Sequence, residues 1–186
     1  DLGLVLRAAR VTDIVNIQTE AVIVNNYEVG FASEHNIFRL EAAAYISKSK
    51  LGSSFQEING FYTTVRSPEK VHGFELAADA YATNNLTVGA TYTYVEGKRD
   101  GNNNGKFEDA EDTYLGGERI SPPKYTAYVK YTPLQHLNFR LDYIGSGARD
   151  RFQKGENGLY KTYEGKVTPY SIINLASSYR MSPSTA

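Results

Sequence analysis

Between Ile37 and Ser47 the chain alternates: Phe38, Leu40, Ala42, Ala44 and Ile46 share one parity, and Arg39, Glu41, Ala43 and Tyr45 share the other. Successive side chains of a β-strand leave opposite faces, so this pattern predicts a strand that meets two different media. It recurs over 71–83, where Phe74, Leu76, Ala78, Ala80 and Ala82 oppose Glu75, Ala77, Asp79 and Tyr81. Over 86–98, Leu86, Val88, Ala90, Tyr92 and Tyr94 oppose Thr87, Gly89, Thr91 and Thr93. Further strands follow at 120–132, 137–147 and 168–180, and a first one at 27–32. A chain patterned in this way is all-β, with antiparallel neighbours.

The connections between these strands are unequal. Asn84-Asn85 is a tight hairpin turn and Pro133 to His136 another short one, whereas 99–119 and 147–166 are long, polar and glycine-rich. In a transmembrane β-barrel the short turns lie on the periplasmic side and the long loops outside. Strands 86–98 and 137–147 then run outward, and 71–83, 120–132 and 168–180 run inward. The same bookkeeping decides the stretch Arg66-Ser-Pro-Glu-Lys70, which by its turn residues reads as a hairpin. A hairpin there would place the short turn at 34–36 outside and the looser segment 48–56 inside. A bulge keeps the order, because Pro68 has no amide to give a ladder and a bulge near a strand end accommodates that. The expectation is one bent strand from Ile58 to Thr83 whose outer part stands above the membrane.

Fifteen tyrosines and 16 glycines suit a sheet-rich architecture. No apolar run has the length of a membrane helix, but a membrane strand shows lipid only every second residue, so modest hydropathy leaves a barrel open. Lysine and arginine number 20 against 21 acidic residues, for a net charge of -1, and no basic field predicts nucleic acid as a partner. Without cysteine there is no disulfide framework and no thiolate metal site. His35, His72 and His136 are isolated, and no metalloprotease or nucleophile-elbow motif occurs, so catalysis is not expected. The opening residues 1–10 lack a leader and read as the interior of a larger protein. Leu4 to Arg10 has the spacing of a short helical turn, and the apolar run Ala21 to Val24 ends at Asn25-Asn26. Residues 1–26 are thus an extracellular loop and strand lead-in, and 27–186 the partial barrel.

Four groups of residues carry candidate chemistry. The twelve positions from Asp100 to Glu111 fit a calcium loop, with Asp100, Asn102 and Asn104 at positions one, three and five, Gly105 at the bend, the Lys106 carbonyl at seven, Glu108 at nine and Glu111 at twelve. Asparagine at two ligand positions lowers the charge and predicts weak Ca2+ binding; the plain alternative is a solvated polar loop. Arg39, Glu41, Glu75, Asp79, Arg140 and Asp142 oppose the apolar faces, so a barrel turns them into its lumen, as salt bridges or along a ligand path. Tyr92, Tyr94, Tyr131, Tyr143 and Tyr179 suit interfacial girdles, while Tyr45 and Tyr81 fall on the lumen parity. The loop Gly145 to Arg151, with Lys154 and Lys161, offers cations to an anionic chelate or to phosphates, or else is solvated.

Five passages carry a family resemblance: Asn25-Asn-Tyr-Glu-Val-Gly-Phe31, Leu51-Gly-Ser-Ser-Phe55, Arg66 to Glu75, Arg119-Ile-Ser-Pro-Pro-Lys124 and Tyr170 to Tyr179. Together and in this order they resemble the C-terminal barrel half of TonB-dependent outer-membrane receptors of the ferric-siderophore type. The resemblance implies a barrel of about 22 strands around a plug. Here about seven of those long antiparallel strands are expected. It also implies a ferric siderophore bound on the outer side, outer-membrane lipid around the barrel in the bacterial cell, and TonB engaged through an N-terminal plug missing from this chain. The final barrel strand is expected to be missing too. Receptors of the same architecture for haem, cobalamin or carbohydrate are the nearest alternative. A soluble structural or adhesive β-protein with a calcium-stapled loop is a different one, and it requires the Phe38 face to be buried against a second layer.

Overall fold

The computed structural model describes residues 21–58, 61–152, 159–160 and 165–181. Eight strands form one antiparallel sheet: β1 (Val24–His35), β2 (Phe38–Ile58), β3 (Phe61–Thr83), β4 (Leu86–Arg99), β5 (Thr113–Tyr114), β6 (Lys124–Leu134), β7 (Leu137–Ser146) and β8 (Tyr170–Tyr179). Their order is β1-β2-β3-β4-β6-β7-β8, a meander in which each strand lies beside its predecessor, with the two-residue β5 paired to the outer end of β4. Short turns at 36–37, 84–85 and 135–136 gather at one end of the sheet, and the long connections at the other. The expected asymmetry is present. The helical turn expected at Leu4 to Arg10 lies outside the described residues.

Register converts the alternation into two continuous faces. One row runs Phe38, Ala80, Val88, Val129, Leu141, Leu175 across β2, β3, β4, β6, β7 and β8. The next runs Leu40, Ala78, Ala90, Ala127, Tyr143, Ile173. Each row is apolar from end to end because every strand has kept its own parity. The opposite rows hold Glu41, Ala77, Thr91 and Thr126, and Asp79, Gly89, Tyr128 and Asp142.

No second layer covers the apolar face among the described residues. Leu40 is 38%, Val88 41% and Leu76 44% exposed, and the only buried hydrophobic side chains described are Leu115, Ile120 and Phe152 at the loop end. A soluble sheet leaving this much apolar surface in water lacks a core, whereas a sheet that turns it to hydrocarbon needs none. The sandwich alternative finds no covering sheet on the Phe38 side.

The strand limits differ from the sequence expectations in instructive ways. β1 begins at Val24 and runs through Asn25-Asn26, since Asn26 pairs with Ser47 and their side chains share a 2.6 Å hydrogen bond. Residues 48–56, expected as a loose segment, are strand, and β2 and β3 stay paired to their shared tip. Pro68 lies within β3 as expected, but the extra residue of the bulge is on β2: Ser49 faces Glu69 while Gly52 faces Ser67. The hairpin of 21 and 23 residues therefore rises above the roughly ten residues that cross a membrane. β6 starts at Lys124 rather than 120, because Pro122 and Pro123 cannot feed a ladder and Ile120 is packed into a loop core instead.

The sheet is open. Among the described residues, β1 and β8 each pair on one side only. In hydrocarbon each unpaired edge group costs several kcal/mol, so this sheet crosses a bilayer only when further strands complete it.

Candidate functional site

The polar face is tied together across strands rather than left as isolated charges. The Tyr128 hydroxyl donates to Asp79 Oδ1 at 2.8 Å, reaching over Gly89 of the strand between them. A side chain at Gly89 would collide with both partners, so the glycine supplies the passage. Arg140 stacks on the Tyr128 ring at 4.3 Å and pairs with Asp142 at 2.8 Å. Arg39 pairs with Glu41. Tyr45 lies across Gly73 on the same face, as its parity required. Of the six expected lumen charges, five are thus paired or hydrogen-bonded within the wall. Glu75 stands with Glu41 beside a trough of about 590 Å³ floored by small residues, Gly30, Ala32, Ala43 and Ala77.

The apolar face carries the aromatic rings. Phe74 packs against Tyr92 and Tyr94 at 5.7 and 5.6 Å, and Tyr125 stacks on Tyr143 at 5.9 Å. Tyr131 and Tyr179 sit on this face near the turn end, where His136 meets Tyr179 edge-on at 5.0 Å. Tyr125 was missed as a girdle residue, although its parity with Ala127 and Val129 is the signal that finds it.

At the loop end a small buried cluster organises the connections. Glu69 of β3 receives Arg119 at 2.7 Å and Arg99 at 3.7 Å. Burial pushes the Arg99 guanidinium below its ordinary value, and Glu69 pulls it back up. Glu96 of β4 receives Arg149 at 2.9 Å and Arg151 at 3.8 Å. Arg149 also donates to the Leu115 carbonyl at 2.8 Å and the Ile120 carbonyl at 3.4 Å, and lies 4.7 Å from the Phe152 ring centroid. One guanidinium thereby joins β4, the loop after β5 and the loop after β7. Gly97 leaves the room, since a Cβ there would sit 2.7 Å from Leu115 Cδ1 and 3.1 Å from Ile120 Cδ1. This corrects the expectation for the 145–151 loop: Arg149 is buried in an ion pair and offers nothing to a chelate or a phosphate. Arg151 remains partly exposed, and Lys154 and Lys161 lie outside the described residues.

The 100–112 loop closes on its own side chains. Asp100, fully buried, accepts from the amides of Asn102 at 3.2 Å, Asn104 at 3.3 Å and Gly105 at 2.6 Å. Asn102 and Asn104 accept from the amides two residues on. Asn103 and Gly105 take positive φ of 58° and 80°, which asparagine and glycine tolerate. The carboxylates turned toward the loop are Asp109, bonded to the Asn104 amide group, and Asp112, which accepts from the Gly101 and Asp109 amides. Glu108 and Glu111 are exposed, and among the described residues no three acidic or histidine side chains converge as a metal cage. Lys98 holds the loop to β4 through a 2.9 Å bond to the Phe107 carbonyl.

Known proteins give this arrangement its context. The sheet superimposes on the structure titled "Copper transporter OprC" with a TM-score of 0.66 and 17% identity, over 86% of this chain and 23% of that one. Two variants of the FrpB iron transporter from Neisseria meningitidis align with a TM-score of 0.63 at 14% and 17% identity, each over 88% of this chain. The chain spans about a quarter of the length of these structures, 24% and 25% for the FrpB pair. Residues 12–185, nearly the whole chain, match the family described as TonB dependent receptor-like, beta-barrel. With its apolar outward face, its polar inner wall and that match, the chain belongs to the TonB-dependent receptor β-barrel family.

Proposed function

We propose that the protein to which this chain belongs imports a ferric siderophore across the bacterial outer membrane, driven by TonB acting on a plug domain. The observation that carries the reading is the pair of faces, apolar outward and charge-lined inward, in a chain of this family. Two solved structures that this chain resembles bear the names of a copper and of an iron transporter, in keeping with a metal chelate as cargo. The wall's paired charges favour a lumen packed by a plug, and they leave ligand recognition to loops and plug. The test is uptake of labelled iron by cells carrying the whole receptor, supplied as ferric hydroxamate, ferric catecholate or haem, with and without TonB. TonB-dependent uptake of a ferric hydroxamate or catecholate is expected. Uptake of haem alone would move the reading to a haem receptor, and accumulation that ignores TonB would overturn it.

Calcium in the 100–112 loop is a second element of this proposal. Asp100, Asn102, Asn104, the Lys106 carbonyl, Glu108 and Glu111 occupy the ligand positions of the loop pattern. Terbium luminescence sensitised by Tyr114, titrated against Ca2+, should show weak saturable binding that Asp100→Ala abolishes. A signal unchanged by the substitution would remove calcium from the account.

A further inference from the structure

We propose that Lys48, Lys70 and Lys98 form a docking row for the phosphate groups of outer-leaflet lipid headgroups; this rests on the membrane-barrel reading above. The three lysines stand abreast: Lys48 pairs with Lys70 across β2 and β3, and Lys70 with Lys98 across β3 and β4. Unbroken register from Phe74 and Tyr94 places them on the outward face, two residues beyond the row of Tyr27, Ile46, His72 and Glu96. That step is about 7 Å along a strand, just past the aromatic rings that mark the edge of the apolar band.

Directly opposed residues on neighbouring strands hold their Cβ atoms about 5 Å apart, so three like charges in one row repel unless an anion lies among them. No ion pair among the described residues includes any of the three. Glu96, in the neighbouring outward row, is occupied by Arg149 and Arg151. Glu69 belongs to the opposite face, where Arg99 and Arg119 hold it, and Asp100 is buried against the amides of its own loop. The inward row just beneath, Ser47, Val71 and Gly97, carries no charge. Positive charge is therefore concentrated on the side that continues into the lipid-facing surface. Lys98 is held ready, with its ammonium on the Phe107 carbonyl and 5.2 Å from the Tyr114 ring, leaving other N–H groups for an anion. Lysine stems can lie along the apolar strands while their heads reach headgroup phosphates.

The test uses the whole receptor in zwitterionic phosphatidylcholine nanodiscs doped with bis-phosphorylated lipid A or with its dephosphorylated form. Lipid retained on the protein is counted by native mass spectrometry. The phosphorylated lipid should be retained and the dephosphorylated one not. Each lysine near an anionic surface is worth about fivefold in binding, so the double substitution Lys48→Gln with Lys70→Gln should lower retention on the order of 25-fold. Lys48→Arg with Lys70→Arg should keep it; Lys98 is left alone because it anchors the 100–112 loop. Equal retention by the glutamine variant, or of the two lipids by the parent, overturns the inference while leaving the barrel reading intact. A receptor that does not enter the nanodisc at all overturns both.

Discussion

Arg149→Met in the whole receptor is expected to unfasten the loop end while leaving the transmembrane strands folded. Glu96 is buried, and its close partner is this guanidinium at 2.9 Å, the second arginine lying 3.8 Å away and largely in solvent. Removing one member of a buried pair leaves an uncompensated charge, a loss of about 3–5 kcal/mol. Here the carbonyls of Leu115 and Ile120 lose a donor as well. Among the described residues the buried apolar core there is Leu115, Ile120 and Phe152, too small to absorb such a loss. Hydrogen exchange should therefore accelerate at 113–123 and 147–152 and stay unchanged in β6 and β7 below them. Adding Glu96→Gln to the variant should recover much of the protection, because the stranded charge goes with it. Unchanged exchange in the single variant would mean that the cluster bears no load.

A cation placed on the outward face should be the most damaging change to the sheet itself. Leu141 sits between Val129 and Leu175 in the middle of the apolar band. Arginine at a lipid-facing midplane position costs about 2–4 kcal/mol. Leu141→Arg should lower the denaturant midpoint of the lipid-embedded receptor accordingly. Asn174→Lys on the opposite face, beside Asp142, should change it by less than about 1 kcal/mol, the range of an exposed ion pair. The contrast is the measurement, since both residues lie one strand apart in neighbouring rows and differ mainly in the medium they meet. Equal effects would contradict the two-faced assignment, and with it the membrane.

Strand polarity and the sidedness of the turns were legible because they depend on nearest neighbours along the chain. Period-two alternation around Leu40, Leu76 and Val88 specifies a face before any partner strand is known, and Asn84-Asn85 specifies a turn. The five resembling passages were sufficient for the family. The long β2–β3 hairpin was not legible, since residues 48–56 alternate poorly and are strand only because β3 lies alongside them. The bulge opposite Pro68 could be expected, but not which strand would hold the extra residue.

Sequence alone therefore determined which side chains face which medium, a local consequence of extended backbone geometry. Tertiary structure alone decided which charges meet. Arg149 reads as a free loop cation among glycines and becomes the buried partner of Glu96, 53 positions away, because the register of β4, β6 and β7 brings those loop ends together. Such pairings join segments that never neighbour each other along the chain, and no pattern of adjacent residues encodes them.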